Sequence, residues 1–355
     1  MQYIIHIVDR LSLGGVTTFI KNLSIRQREN HKVSILTIED DRNDDLIPVK
    51  IIIENNIVIY RLNLHKFNPL TVFKLIPFIE KNDIIHVHLF PALYWVGISS
   101  IFKRNKKFFF SEHIFESKRR NKILRPIEKL IYNRYNKIIG VSEIVSLELN
   151  KWIKLPRKTI FINNGIDLNT KKIIKNREIL QQHSGKKLII MAARIGPPKN
   201  QSTLIKAFSH LDNSYHLLLA GDGPQIDEMR QLSHELKLND NVSFLGIRND
   251  VLSLMKTCDL SVLSTYSEGF GLGIMESFSV GTPCLASNIK VLRSILKNDL
   301  ILFDTENDKE LAHKIQTIIE NKNIHNELVE YGNSLVKEYS IEKMVKKYSK
   351  LYEYK

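Results

Sequence analysis

Short apolar runs alternate along this chain with longer segments whose apolar positions recur at helical spacing. The runs predict buried strands, and the segments between them predict helices. In the first half strands are expected at 3–8, 33–37, 57–61, 84–88, 107–111, 137–141 and 159–162. In the second half they are expected at 187–192, 216–220, 242–245, 260–263 and 282–286. Strands separated by helices imply right-handed crossovers and parallel sheets. The rhythm restarts near Lys187, after Asn163-Asn164-Gly165 and the polar segment 169–185. A hinge between two doubly wound α/β domains is expected there. Ligands of such folds lie outside the carboxyl ends of the strands, so a cleft shared by the domains is expected.

At 355 residues, with 43% apolar and 25% charged positions, the chain has room for two globular cores. Cys258 and Cys284 sit in apolar surroundings and read as buried thiols in a reducing compartment. Residues 1–8 read as a strand and lack a signal peptide's charged start. The longest apolar stretch, 90–102, has 13 residues, where a membrane span needs roughly 20. A cytoplasmic protein is expected. The net charge of +14 is uneven: residues 99–140 carry twelve Lys/Arg (Lys103, Arg104, Lys106, Lys107, Lys118, Arg119, Arg120, Lys122, Arg125, Lys129, Arg134, Lys137) against Glu112, Glu116 and Glu128. Such a stretch is either a solvated helical face or a surface for an anionic membrane or a lipid-linked phosphate, since each cation near an anionic membrane is worth about 1 kcal/mol. Nucleic acid is not expected, because no recognised basic-aromatic module accompanies the charge.

Four segments of the second half follow predicted strands directly. Arg194 and Lys199 flank Ile195-Gly196-Pro197-Pro198. A guanidinium fork and an ammonium on a proline-stiffened loop suit a diphosphate. Gly221-Asp222-Gly223-Pro224 reads as a tight turn. Gly246 opens Ile247-Arg248-Asn249-Asp250, a loop able to hold a flat base through its backbone. The fourth is Glu268-Gly-Phe-Gly-Leu-Gly-Ile-Met-Glu276, in which three glycines separate two carboxylates. Strand, glycine loop and helix N-terminus make an anion site. Glu268 would lie beside the ligand. Glu276, about two turns into the helix, would accept from a ribose diol. Singly these segments read as turns and solvated charges; four on one side of a sheet are hard to assign to accident.

In the first half Leu13-Gly14-Gly15-Val16 follows the first strand but fails the dinucleotide spacing, since Val16 and Phe19 stand where glycines are required. Two glycines opening a helix still make an anion-binding end. His113 follows the fifth strand in Ser-Glu-His and reads equally as structural or functional. His86 and His88 point the same way from one strand, with no third ligand in reach by sequence, so no metal site is expected. Glu39-Asp40-Asp41 with Asp44-Asp45 reads as a solvated loop.

The glycine pair at Gly14 and Gly15, Ser-Glu-His ending at His113, Asn164-Gly165-Ile166-Asp167, Arg194 with Lys199, Gly221 to Pro224, Phe244-Leu245-Gly246 and the segment from Glu268 to Glu276 occur in this order. Together they resemble the retaining glycosyltransferases of family 4, of bacterial surface-polysaccharide type. That family has the GT-B fold: two Rossmann-like domains facing a central cleft. The resemblance spans nearly the whole chain, is most specific at the paired glutamates and is looser in the first half. The loop 195–198 departs from the more polar one usual in the family.

The resemblance implies an acceptor domain at 1–166, a donor domain at 167–340 and a last helix, 341–355, packed back on the first. Arg194 and Lys199 would hold the pyrophosphate of a nucleotide-sugar, Glu276 the ribose, and Glu268 the sugar hydroxyls. Backbone groups of Phe270, Gly271 and Leu272 would lie near sugar and phosphate. Gly221, Gly223, Gly246 and Ile247 would complete the donor site. Gly15 would reach the pyrophosphate and His113 the sugar from across the cleft. Retaining transfer without a metal or other cofactor is implied, from UDP rather than GDP, to a glycan or lipid-linked acceptor in capsule, exopolysaccharide or O-antigen assembly. An epimerase or inverting transferase on the same fold, or a non-catalytic basic binding protein, stands as the alternative.

Overall fold

The computed structural model describes residues 1–12, 14–39, 44, 46–103, 105–115 and 120–353. Several sequence readings lie outside the described residues: Leu13 of the glycine loop, Asp40, Asp41 and Asp45 of the acidic cluster, Arg104, Glu116, Lys118 and Arg119 of the basic stretch, and Tyr354 and Lys355 of the last helix.

Thirteen strands form among the described residues. They are β1 (Tyr3–Val8), β2 (Lys32–Thr37), β3 (Val58–Arg61), β4 (Ile84–His88), β5 (Lys107–Glu112), β6 (Lys137–Gly140), β7 (Thr159–Phe161), β8 (Lys187–Ala192), β9 (Tyr215–Ala220), β10 (Val242–Gly246), β11 (Leu260–Leu263), β12 (Cys284–Ser287) and β13 (Leu302–Phe303). Their near-continuous apolar character follows from burial on both faces of a parallel sheet. One sheet runs β3-β2-β1-β4-β5-β6-β7 and the other β10-β9-β8-β11-β12-β13. Each is doubly wound. The order reverses between β1 and β4 and between β8 and β11, which marks the carboxyl ends of those strands as ligand sites.

Most strand ends fall within a residue of those expected, and two larger differences remain. The strand expected from 282 starts at Cys284, because Thr282 belongs to the turn closing the helix Leu272–Ser279. There the Thr282 N–H donates to Ser277 O at 3.1 Å and Ser277 Oγ donates to Thr282 O at 2.9 Å. β13 was not expected, since two residues carry no periodicity.

The chain divides into two compact units, Met1–Gly165 with Ile341–Lys355, and Ile166–Ser340. In the first, the helix Ile341–Glu353 lays Met344, Tyr348 and Tyr352 against Phe19, Ile20 and Phe109 in the core. Lys107 Nζ donates to Tyr352 O at 2.8 Å, and the Gly165 N–H meets Met344 Sδ at 3.1 Å. Burying side chains of this size is worth about 1.5–3 kcal/mol each. In the second, Leu188, Ile190, Leu218, Leu254 and Met255 pack together. Both cysteines are buried and free, and burial pushes the Cys284 thiol up to about 12.

Candidate active site

In the second unit the loops after β8, β9, β10 and β11 are bonded edge to edge. The Ala193 N–H donates to Ala220 O at 3.0 Å and the Ile195 N–H to Asp222 O at 3.0 Å. The Gly221 N–H donates to Gly246 O at 2.7 Å. The contact is so close that a Cβ on Gly221 would stand 2.0 Å from Ala193 O, and one on Gly223 2.0 Å from Ile195 O. Real Cβ atoms do not approach oxygen that closely. The turn therefore needs glycine at both positions.

The loop after β8 is tied in turn to the segment after β11. The Asn200 N–H donates to Ser264 O at 3.0 Å, the Tyr266 N–H to Pro198 O at 2.9 Å, and Lys199 bridges Thr265. Asn200 also caps the helix Gln201–Phe208, its side chain accepting from the Thr203 N–H. This stitching brings Lys199 Nζ onto Glu268 Oε1 as an ion pair, with side chains only 19% and 14% exposed. Sequence placed the two on separate ligand groups and did not foresee that they pair. Arg194 stays exposed, and its Nη1 donates to Pro197 O at 3.2 Å.

Beyond Glu268, Phe270 is buried and packs edge-on against Tyr339 at 5.3 Å between ring centres. Its side chain thus belongs to the core, and only its backbone remains for a ligand. Gly271, at φ +90°, caps the helix Leu272–Ser279, and a Cβ there would meet Leu292 Cδ2 at 2.7 Å. The Ile274 N–H of the first turn is taken up by Gly271 O at 3.0 Å, and no acid occupies that turn. Glu276 is the fifth residue of the helix, a little over one turn in rather than two. Gly246, at φ +63°, turns the chain so that Ile247 is half exposed. Arg248 is spent on Asp250, which it holds below the usual carboxylate range through two 2.8 Å bonds.

In the first unit Gly14, at φ +148°, caps the helix Gly15–Arg28, whose first turn carries no acid. Thr17 Oγ1 fastens that turn to Ser12, donating to its carbonyl at 2.6 Å and accepting from its N–H at 3.1 Å. His113 lies just past β5, buried, with Nε2 3.2 Å from His88 Nδ1. Burial drives its imidazole down to about 3.

The structure corrects the reading that no third histidine lies in reach of His86 and His88. β1 and β4 pair with His6 opposite His86, and one nitrogen from each of His6, His86 and His88 falls within 4.8 Å of the others. Every ring nitrogen of the three nevertheless has a hydrogen-bond partner. His6 meets Gln27 Oε1 at 2.8 Å and His88 Nε2 at 3.0 Å. His86 meets Ser111 Oγ at 2.7 Å and the Tyr352 hydroxyl at 2.6 Å. Parallel strand register brings these residues together, which spacing within one strand could not reveal.

The family model described as Glycosyl transferases group 1 matches residues 172–335, and that described as Glycosyltransferase Family 4 matches residues 13–170. An uncharacterized glycosyltransferase of Methanocaldococcus jannaschii is 25% identical over 96% of this chain and 95% of its own length. The UDP-Gal:alpha-D-GlcNAc-diphosphoundecaprenol alpha-1,3-galactosyltransferase of Escherichia coli is 25% identical, over 56% of this chain and 54% of its own. Crystals of Anabaena HepE in complex with UDP and glucose superpose with a TM-score of 0.87 over 99% of both chains at 19% identity. With a reversed parallel sheet in each unit and both halves matched, the chain belongs to glycosyltransferase family 4, has the GT-B fold, and is a glycosyltransferase.

Proposed function

We propose that the enzyme moves a sugar from a UDP-sugar, with retention of anomeric configuration, to a glycan or lipid-linked acceptor in capsule, exopolysaccharide or lipopolysaccharide synthesis. The observation that carries this reading is the Lys199–Glu268 pair, held by cross-bonded loops at the reversal of the second sheet. The UDP found with HepE and the diphosphoundecaprenol acceptor in the Escherichia coli relative's name support the choice of donor and acceptor.

On this reading Lys199 exchanges Glu268 for the donor diphosphate, and Arg194 joins it there. Charge builds on that diphosphate as the glycosidic bond breaks, so fixed cations stabilise the transition state more than the ground state. Glu268, released from the lysine, accepts from sugar hydroxyls. It is a binding group and not the nucleophile. Glu276 takes the ribose, the loop at Gly246 and Ile247 the base, and Gly221 and Gly223 let the backbone close around the nucleotide. The amides from Phe270 to Leu272 serve the sugar and phosphate. In the first unit Gly14 and Gly15 are assigned to the pyrophosphate and His113 to the donor sugar. The leaving phosphate takes the acceptor proton during attack on the same face, which retains configuration. Transfer needs no divalent metal, so excess EDTA leaves the rate unchanged.

The acceptor side rests on the basic stretch, which the structure narrows. Lys106, Lys107, Arg134 and Lys137 spend their charges on neighbouring oxygens of Glu80, Tyr352, Ser100 and Arg157. The helix Arg125–Tyr132 differs. It turns Glu128 and Tyr132 inward and ties Arg125 to Trp152 O at 2.7 Å, while Ile123, Leu124, Ile127 and Leu130 stand 82%, 49%, 57% and 69% exposed beside Lys122 and Lys129. Apolar residues flanked by cations suit the interface of an anionic bilayer. No described helix is long and apolar enough to cross a membrane, so attachment through this face is proposed.

The test is the anomeric configuration of the product, read by proton NMR, for the UDP-sugar that a donor screen selects. An α-linked product from an α-linked donor agrees with the proposal. A β-linked product removes the retaining mechanism.

A further inference from the structure

Four buried side chains of the first unit form one file of hydrogen bonds: Gln27 Oε1 to His6 Nε2 at 2.8 Å, His6 Nδ1 to His88 Nε2 at 3.0 Å, and His88 Nδ1 to His113 Nε2 at 3.2 Å. Burial holds all three imidazoles neutral near pH 7, His6 at about 4, His88 well below its ordinary value and His113 at about 3. A neutral imidazole carries one donor and one acceptor nitrogen, so the state of one ring dictates that of the next. If Gln27 presents its carbonyl oxygen, His6 donates from Nε2 and must accept at Nδ1. His88 then donates from Nε2 and accepts at Nδ1, and His113 donates from Nε2. Its Nδ1 is left as a bare lone pair, and Nδ1 makes no hydrogen bond to a described residue. Turning the Gln27 amide over would reverse every proton and make His113 Nδ1 a donor.

The structure chooses between these states: the Gln27 amide sets Oε1 on His6 Nε2 at 2.8 Å, while its Nε2 is buried and makes no hydrogen bond. The neighbouring His86 is engaged outside the file, with Nε2 2.7 Å from Ser111 Oγ and Nδ1 2.6 Å from the Tyr352 hydroxyl.

We infer that Gln27, His6 and His88 are positioning residues that lock His113 in the Nε2–H tautomer, so that it offers Nδ1 as a hydrogen-bond acceptor to a donor-sugar hydroxyl. The sugar contact rests on the proposed function, but the tautomer belongs to the free protein and is tested without a ligand. Long-range nitrogen–proton NMR of the full chain, specifically labelled at histidine, separates protonated from bare ring nitrogens at pH 7. The expected spectrum has Nε2 protonated and Nδ1 bare on His6, His88 and His113. A protonated Nδ1 on His113, or a mixture of tautomers, overturns the inference. In Gln27→Leu the His113 resonances are expected to move toward a mixed population, whereas Gln27→Glu, which also presents oxygen, keeps the wild-type pattern. Unchanged His113 resonances in a folded Gln27→Leu, or a shift of the His6 and His88 nitrogens to metal-bound positions on adding one equivalent of zinc, overturn it too. Adding UDP-glucose then tests the sugar contact separately. A shift at His113 Nδ1 alone supports it, and no shift at saturation removes the contact while leaving the tautomer standing.

Discussion

At Gly223 a methyl group would stand 2.0 Å from the carbonyl oxygen of Ile195. Forcing such contacts on a packed structure costs about 1–3 kcal/mol. Gly223→Ala is accordingly expected to unfold at lower urea, by about 2 kcal/mol, and to bind UDP more weakly. A variant within about 0.5 kcal/mol of wild type would show that the loop relaxes freely. The residue types of this turn were legible in the sequence, but their cause was not, since Ile195 and Gly223 are neighbours only through the pairing of β8 with β9. The same holds for Lys199 and Glu268. Both stood out as charges after strands, and only the backbone bonds between their loops make them a pair.

On the scale of elements, β1, β4, β5 and the helix Ile341–Glu353 enclose histidines that stay neutral because water is excluded. The folded pKa of His6, about 4, lies below the ordinary 6.5. Above pH 6.5 neither folded nor unfolded chain binds the proton, and this histidine costs nothing. As pH falls from 6.5 toward 4 only the unfolded chain takes it up, so stability declines, by about 2 kcal/mol for such a histidine at pH 5. Urea midpoints at pH 7 and pH 5 should differ in that direction, and equal midpoints would contradict the neutral cluster. The helix Arg125–Tyr132 makes a second element-scale prediction. Ile127→Ser with Leu130→Ser should weaken binding to vesicles of anionic lipid by tenfold or more, at about 0.8 kcal/mol per buried methylene, without changing UDP affinity. Undiminished vesicle binding would leave the face without a role. Charge along this segment was evident in the sequence. Which side faces outward was not, because Tyr94 and Trp152 draw Glu128 inward from distant parts of the chain.

For the whole molecule, two parallel doubly wound sheets and twelve of the thirteen described strands followed from alternation of apolar runs and helices, because parallel sheets leave that signature at every crossover, while the spatial order of the strands did not. The two-residue β13 did not follow either, since only its pairing with β12 makes it a strand. The central claim concerns the second unit: its cross-bonded loops hold a nucleoside diphosphate through Lys199 and Glu276. Calorimetric titration of UDP into wild type, Lys199→Ala and Glu276→Ala tests it most directly. Losing a hydrogen bond to a charged group costs about 1.5–3 kcal/mol, so each variant should bind UDP at least tenfold more weakly while its urea midpoint stays near that of wild type. Equal affinity for UDP in all three proteins would contradict the account.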